Sequence, residues 1–286
     1  MTPIIGAHVS ASGGLWTAVE RGQELGAEAI QIFGSAPQTW RPTNHTAKAY
    51  ERFKEDFAAS GMKAAWLHCA YLPNLAHDED EMWNKSIECV TNALTVAHNA
   101  GADGVVLHTG SHKGKGIEAV VSRVAAALDR IFENAPGDCR LALENAAGQG
   151  GAIGKSWNEL GQISKAVQSP RLAVCMDTCH AFAAGYRISE EDGLRITLEE
   201  LDNEVGIERL AVLHANDSLM EFGSTRDRHQ NIGDGHIGSD GFRVILANAH
   251  IANLPLLLEV PGIDGKSGPD AENVRRLKLL RGDAPS

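Results

Sequence analysis

Residues 64–108 read AAWLHCAYLPNLAHDEDEMWNKSIECVTNALTVAHNAGADGVVLH, and this stretch decides the fold. It opens on the apolar run Ala64–His68, passes through a loop into helical periodicity over 79–99, and closes on a second apolar run, Gly104–His108. Neither run alternates as a strand with one wet face does. Near-continuous apolar character is what a parallel strand buried on both faces requires. Gly101 follows the helical segment, where a left-handed C-terminal cap is wanted. Strand, helix and parallel strand together make one β-α-β unit.

The same unit repeats in both directions. Further apolar runs read as strands at Ile4–Val9, Ala29–Phe33, Arg140–Glu144, Leu172–Asp177, Leu210–His214 and Pro255–Glu259. Between them, helical periodicity runs over 12–25, 46–60, 116–134, 156–167, 190–205, 239–249 and 270–281. Ser156 and Glu159 form a capping box at one helix start, and Gly61 closes another helix. Eight strands alternating with eight helices in 286 residues predict an α/β protein, a (β/α)8 TIM barrel, with residues 1–286 as a single domain. An open doubly wound sheet would carry a glycine-rich phosphate loop after its first strand, and Gly6-Ala-His-Val-Ser10 is not one.

Composition limits the function classes. Apolar residues make up 43% and charged residues 22%, as in ordinary soluble globular chains. No apolar run is long enough to cross a bilayer and no signal segment is evident, so a cytoplasmic protein is expected. Cys69, Cys89, Cys139, Cys175 and Cys179 form no C-x-x-C pair and read as reduced thiols. The formal charge of −11 argues against a broad basic surface for nucleic acid, although bound divalent ions can create local positive charge that this count omits.

The last residue of each strand carries the chemistry. Strands three to eight end in His68, His108, Glu144, Asp177, His214 and Glu259, six successive residues able to ligate a metal. Parallel strands present their C-terminal ends on one rim, where barrel active sites form. Trp66, Val106, Val212 and Leu257 each precede a ligand candidate by two residues, so they share its face and fill the barrel beneath it. His180 follows Asp177 by three, and Asp227 and His229 straddle Arg228, so all three join the same rim. A lone strand-end histidine is usually structural; six ligand-capable strand ends in succession are not explained that way. Five imidazoles and four carboxylates suit zinc, manganese or iron better than calcium or magnesium. Nine ligands exceed one ion's needs and imply two or three. Such a site favours an anionic phosphodiester, with a hydroxide shared by two ions as nucleophile.

Other candidates have plainer readings. His8 ends strand one on the same rim and reads equally as ligand, supporting residue or substrate contact. His45, His77, His98 and His250 read as surface or packing residues, and His112 and His236 as loop residues on the functional side. Cys175 is expected inside the barrel and Cys179 as a buried thiol. Gly148-Gln-Gly-Gly151 reads as a turn after strand five.

At these positions the chain resembles the endonuclease IV family of abasic-site endonucleases over nearly its whole length. The likeness rests on Gly6-Ala-His-Val-Ser10, Glu144-Asn-Ala-Ala-Gly-Gln-Gly150, Cys175-Met-Asp-Thr-Cys-His-Ala-Phe-Ala-Ala-Gly-Tyr186 and His214-Ala-Asn-Asp-Ser218. It continues through Gly223-Ser-Thr-Arg-Asp-Arg-His229 and Gly233-Asp-Gly-His-Ile-Gly238 to the strand ending in Glu259. The resemblance implies three zinc ions, one position being open to manganese or iron. His68 and His108 would hold one, with Glu144 bridging to a second completed by Asp177, His214 and Glu259. His180, Asp227 and His229 would hold the third. Glu144 and Glu259 are expected in the catalytic group.

The implied reaction is hydrolysis of the phosphodiester 5′ to an abasic site in double-stranded DNA. It leaves a 3′-hydroxyl, with removal of 3′-blocking groups as a second activity, in base excision repair by a monomer. Gln38, Tyr71, Leu72 and Arg228 are the implied DNA contacts. The chain departs from the family pattern at Gln38, Cys69, Thr109 and Leu219, none of them a ligand position. A sugar isomerase or epimerase shares this barrel but needs fewer ligands and leaves Asp227 and His229 without a role. A lesion-binding or metal-holding protein without turnover is the non-enzyme alternative.

Overall fold

The computed structural model describes residues 2–263 and 267–284. Its elements in chain order are β1 (Ile4–His8), α1 (Thr17–Glu24), β2 (Ala29–Phe33), α2 (Ala47–Ser60), β3 (Ala64–His68), α3 (Asp80–Ala100) and β4 (Gly104–Leu107). They continue with α4 (Val121–Asn134), β5 (Arg140–Glu144), α5 (Trp157–Ala166), β6 (Leu172–Asp177), α6 (Thr178–Ala184), α7 (Glu191–Glu204) and β7 (Leu210–His214). The last are β8 (Asp217–Ser218), β9 (His229–Gln230), α8 (Gly238–Ala247), β10 (Pro255–Leu258) and α9 (Ala271–Arg281). Eight strands close into a barrel in the order β1-β10-β7-β6-β5-β4-β3-β2, every pair parallel. The TIM barrel expected from the strand and helix pattern is the fold observed.

Two cores hold it. The larger lies between strands and helices and includes Ile5, Ile30, Leu67, Val105, Leu141 and Leu213 with the apolar faces of the helices. The smaller fills the barrel with Ala29, Ala64, Trp66, Val106, Ala142, Ala173, Cys175, Ala211, Val212 and Leu257. Thus Trp66, Val106, Val212 and Leu257 lie beneath the rim as the i, i+2 spacing requires. One indole among alanines is a volume match, since a barrel interior mixes large and small side chains. Gly104 completes it: a Cβ there would lie 2.7 Å from the Trp66 ring and 2.4 Å from the Arg140 carbonyl oxygen.

The boundaries differ from expectation in ways with local causes. The first helix begins at Thr17 rather than residue 12, because Gly13 and Gly14 turn with φ of 95° and 134°. The helix expected over 116–134 is a short 3-10 turn, Ile117–Ala119, followed by α4. β1, β4 and β10 each stop one residue early, leaving Val9, His108 and Glu259 just past the ladder. Three short elements were not expected, α6 and the antiparallel strands β8 and β9. Gly61 and Gly101 close α2 and α3 in the left-handed region, and Ser156 Oγ accepts from Glu159 N at the start of α5. Among the described residues, no helix is long and apolar enough to cross a membrane.

Candidate metal centre

Barrel register brings the strand ends level. Asp177 pairs across from His214, and His68 lies beside Val106, two residues before His108. Asp177 also starts α6: its Oδ1 accepts from His180 N at 2.8 Å, which turns the chain so that His180 faces back over the barrel mouth. Asp217 organises the other flank. Its carboxylate accepts from the backbone N–H of Ser218, Gly233, Gly235, Ile237 and Gly238, fixing the loop that follows His229.

Glu144 stands at the centre, its side chain wholly buried. Four imidazole nitrogens surround its carboxylate: His214 Nδ1 at 3.1 Å, His180 Nδ1 at 3.2 Å, His108 Nε2 at 3.4 Å and His68 Nε2 at 3.5 Å. Deeper in the mouth, His214 Nδ1 lies 3.2 Å from Glu259 and 3.8 Å from Asp177. On the far side, Asp227 approaches His180 Nε2 at 3.1 Å and His229 Nε2 at 3.3 Å. All nine side chains singled out in the sequence converge here. They fall into overlapping groups with mutually close ligand atoms: His68, His108 and Glu144; Glu144, Asp177, His214 and Glu259; and His180, Asp227 and His229.

Two observations test whether cations fit. The first is that His68 Nε2, Glu144 Oε2, His180 Nε2 and His229 Nε2 are buried and make no well-directed hydrogen bond, even where a carboxylate oxygen lies as near as 3.1 Å. Buried polar atoms are normally satisfied, and these four belong to the proposed ligand groups. Their opposite ring nitrogens are satisfied: His68 Nδ1 donates to the Cys69 carbonyl, His180 Nδ1 to that of Asn145 and His229 Nδ1 to that of Glu259. A metal-ligating histidine shows this arrangement, one nitrogen anchored and the other free. The second observation is charge. Burial alone would raise the pKa of Glu144, but His108 and His214 hold it well below the usual range. Burial opposes protonation of His180, yet Asp177, Asp227 and Glu144 raise it well above its ordinary value. Burial likewise opposes protonation of His214, overcome by Cys175, Glu259 and Glu144. Four carboxylates thus draw positive charge toward these imidazoles, an electrostatic setting that suits a cation.

Cys179 lies close to Asp177 and His229 as a further possible donor. Burial pushes its thiol up to about 12, and Sγ donates to the Arg228 carbonyl at 3.5 Å. Cys175 is fully buried inside the barrel.

A cleft of about 680 Å³ opens beside the cluster, lined by His8, Phe33, Pro37, Tyr71, His229 and Glu259 among others. Tyr71 is 55% exposed, its ring packed against Phe33 and His68 at 5.5 and 5.4 Å. Burial, then Glu259 and Glu144, push its phenol up to about 12, so it remains a hydrogen-bond donor. Tyr71 N donates to the Pro37 carbonyl, tying the loop with exposed Gln38 to this wall. Leu72 is half-buried, and Arg228 is exposed with its guanidinium on the Asp227 carbonyl. His45, read as packing, also lines the cleft and bonds the Gly34 carbonyl through Nε2. His112 builds its own loop by accepting from Gly114 N and Gly116 N, and the turn at 149–151 is docked on Ser111 Oγ.

Sequence reasoning missed three polar residues around the centre. Asn216 donates to Asp177 Oδ2 and accepts from Glu259 N, and Asn145 exchanges hydrogen bonds with the Asp177 backbone. Both directly follow or nearly follow a candidate ligand in the chain, which was the available signal. The third is Gln31, a lone polar residue inside the apolar run of β2.

Comparison with known proteins agrees with the fold. The family model described as xylose isomerase-like TIM barrel matches residues 19–281. A probable endonuclease 4 of Halothermothrix orenii is 36% identical over 98% of this chain and 99% of its own length. One of Methanosphaerula palustris is 39% identical, covering 96% of this chain and 97% of its own. Among solved structures, endonuclease IV from Thermus thermophilus superposes with a TM-score of 0.87 at 34% identity, covering 99% of this chain and all of that one.

Proposed function

Because the chain belongs to the endonuclease IV family, within the xylose isomerase-like TIM barrels, we propose that it is a zinc-dependent abasic-site endonuclease of base excision repair. It hydrolyses the phosphodiester 5′ to an abasic site in double-stranded DNA and leaves a 3′-hydroxyl. Removal of 3′-blocking groups is the same hydrolysis, with the 3′-oxygen again the leaving group and only the fragment on the phosphate different. The observation that carries this reading is the set of buried ligand atoms without a well-directed hydrogen bond on His68, Glu144, His180 and His229 at one barrel mouth.

His68 and His108 with Glu144 would hold one ion; Glu144, Asp177, His214 and Glu259 a second; His180, Asp227 and His229 a third. Zinc ions bound there supply Lewis acidity toward a phosphodiester and lower the pKa of water. The chain's own residues do the rest. Glu144 belongs to two groups, so it fixes the spacing between them, and Glu259 closes the side facing the cleft. Tyr71 presents an exposed aromatic face at the lip, where an unstacked nucleotide would pack, with Leu72 beside it. Gln38 and Arg228 extend the contact on either side.

The overall acidity does not reach the rim uniformly. Exposed Arg41, Lys113, Lys155, Arg226 and Arg228 sit in loops that follow β2, β4, β5 and β8, on the side of the metal centre. Such residues neutralise backbone phosphates locally, and binding should weaken as salt rises.

The test is a duplex carrying a tetrahydrofuran abasic analogue. Zinc-loaded protein should nick it once, 5′ to the lesion, lose activity on metal stripping and regain it with zinc. A fully loaded protein that leaves the lesion uncut would refute the reading; binding without cleavage would point to a lesion-binding protein instead.

A further inference from the structure

We propose that Gln31 is the positioning residue of the deep ion site, setting the tautomer of His214 and the orientation of Glu259 through one side-chain amide. The inference rests on the metal reading above and concerns a residue that ligates nothing itself.

Gln31 is 0% exposed. It lies on β2 two residues past Ala29, so it shares the inward face of that inner-core alanine and stands one layer higher, at the level of the ligands. In the barrel register it pairs with His8. Its amide makes two hydrogen bonds of opposite sense. Nε2 donates to Glu259 Oε1 at 2.7 Å, and Oε1 accepts from His214 Nε2 at 3.0 Å.

The sense of each bond follows from the site. His214 Nδ1 is the nitrogen that faces the carboxylates of Glu144, Glu259 and Asp177. A cation among them needs the Nδ1 lone pair, so the ring proton must sit on Nε2, and that N–H then needs an acceptor. Gln31 Oε1 is that acceptor. The same amide must therefore turn its NH2 toward Glu259. There His8 Nδ1 also donates, at 2.9 Å, so two donors occupy Glu259 Oε1 and leave Oε2 facing His214 Nδ1. The 3.1 Å approach of Gln31 Nε2 to His8 Nδ1 is then packing between two donors that share one acceptor. Neither a carboxylate nor an apolar side chain at this position can accept from an imidazole and donate to a carboxylate at once.

The test reads metal binding, not catalysis. Gln31→Met keeps length and volume and removes both hydrogen bonds. Wild-type and variant chains are loaded with zinc and titrated with a competing chelator, and zinc per chain is measured at each step. The variant should bind one zinc about 10–100-fold more weakly and the others as the wild type does. Equal affinities for every zinc in the two proteins would overturn the role of Gln31 alone. A wild type that holds no zinc would overturn the metal reading itself, and this inference with it. Should the variant fail to fold, nitrogen-15 NMR of the histidine rings in zinc-loaded wild type decides instead. A proton on His214 Nε2 with Nδ1 metal-bound supports the inference, and the reverse tautomer refutes it.

Discussion

Replacing Glu144 with Gln probes the centre most sharply, because the amide keeps the shape of the carboxylate and removes only its charge and one ligating oxygen. Glu144 belongs to two of the three ligand groups, so two ions should weaken while the group of His180, Asp227 and His229 keeps its own. An ion that binds only the folded chain stabilises it by about 4 kcal/mol at a thousandfold excess over its dissociation constant. Three independent ions would then add about 12 kcal/mol, and the variant would retain the share of one, about 4 kcal/mol. At roughly 2–4 °C per kcal/mol, that difference is a large calorimetric shift. The comparison must be made on the zinc-induced increment, not on absolute melting temperature. In the stripped protein Glu144 also balances His180 and His214, whose protonation it favours, so its loss changes the metal-free baseline too. Scanning calorimetry of stripped and zinc-loaded samples of both proteins separates these effects. An equal zinc increment in wild type and Glu144→Gln would refute the shared-ligand geometry.

Tyr71→Ala should lower affinity for abasic duplex, measured by fluorescence anisotropy, by about 1–3 kcal/mol of lost stacking while zinc content stays at the wild-type level. Cys179→Ser should leave zinc content unchanged by elemental analysis, since its Sγ is directed at the Arg228 carbonyl; loss of an ion would make it a ligand after all. Glu28 clamps the barrel floor to the end of α9: its carboxylate accepts from Ile5 N and from both Arg281 terminal nitrogens. Burial opposes this charge, but Arg281 and Ile5 N hold the Glu28 pKa down to about 2. A depressed carboxylate contributes stability that is present above its unfolded value near 4.5 and lost as pH falls toward 2. Discounted for solvent screening, the contribution is about 2 kcal/mol, so Glu28→Gln should melt earlier than wild type at pH 7 and converge with it in acid.

The barrel and the candidate ligand cluster were legible because they obey the same rule. A strand covered on both faces is apolar until it reaches the rim, so the first polar residue marks both the end of the strand and the site. Trp66 beneath His68 and Leu257 beneath Glu259 made the inward face readable two residues earlier. That rule also hid Gln31. β2 ends in Phe33, an apolar residue, and the polar side chain that enters the site lies two positions before the end. Short elements were hidden for a different reason. α6 has seven residues and begins directly on Asp177, which serves at once as strand end and helix cap, so no periodicity had room to develop. β8 and β9 have two residues each and are held by the Asp217 carboxylate at the centre of five backbone N–H groups. Long-range backbone capture of that kind leaves no local pattern. Asn145 and Asn216 lie within two residues of candidate ligands in sequence, but their roles depend on contacts with Asp177 across the mouth.

Nine converging side chains are proposed to form a three-ion hydrolytic centre. Zinc per chain decides it, measured by elemental analysis on protein loaded with zinc and freed of excess metal, on the same sample that nicks abasic duplex. Three zinc ions per chain are predicted. One ion or none, in a sample that still cleaves the lesion, would contradict the account.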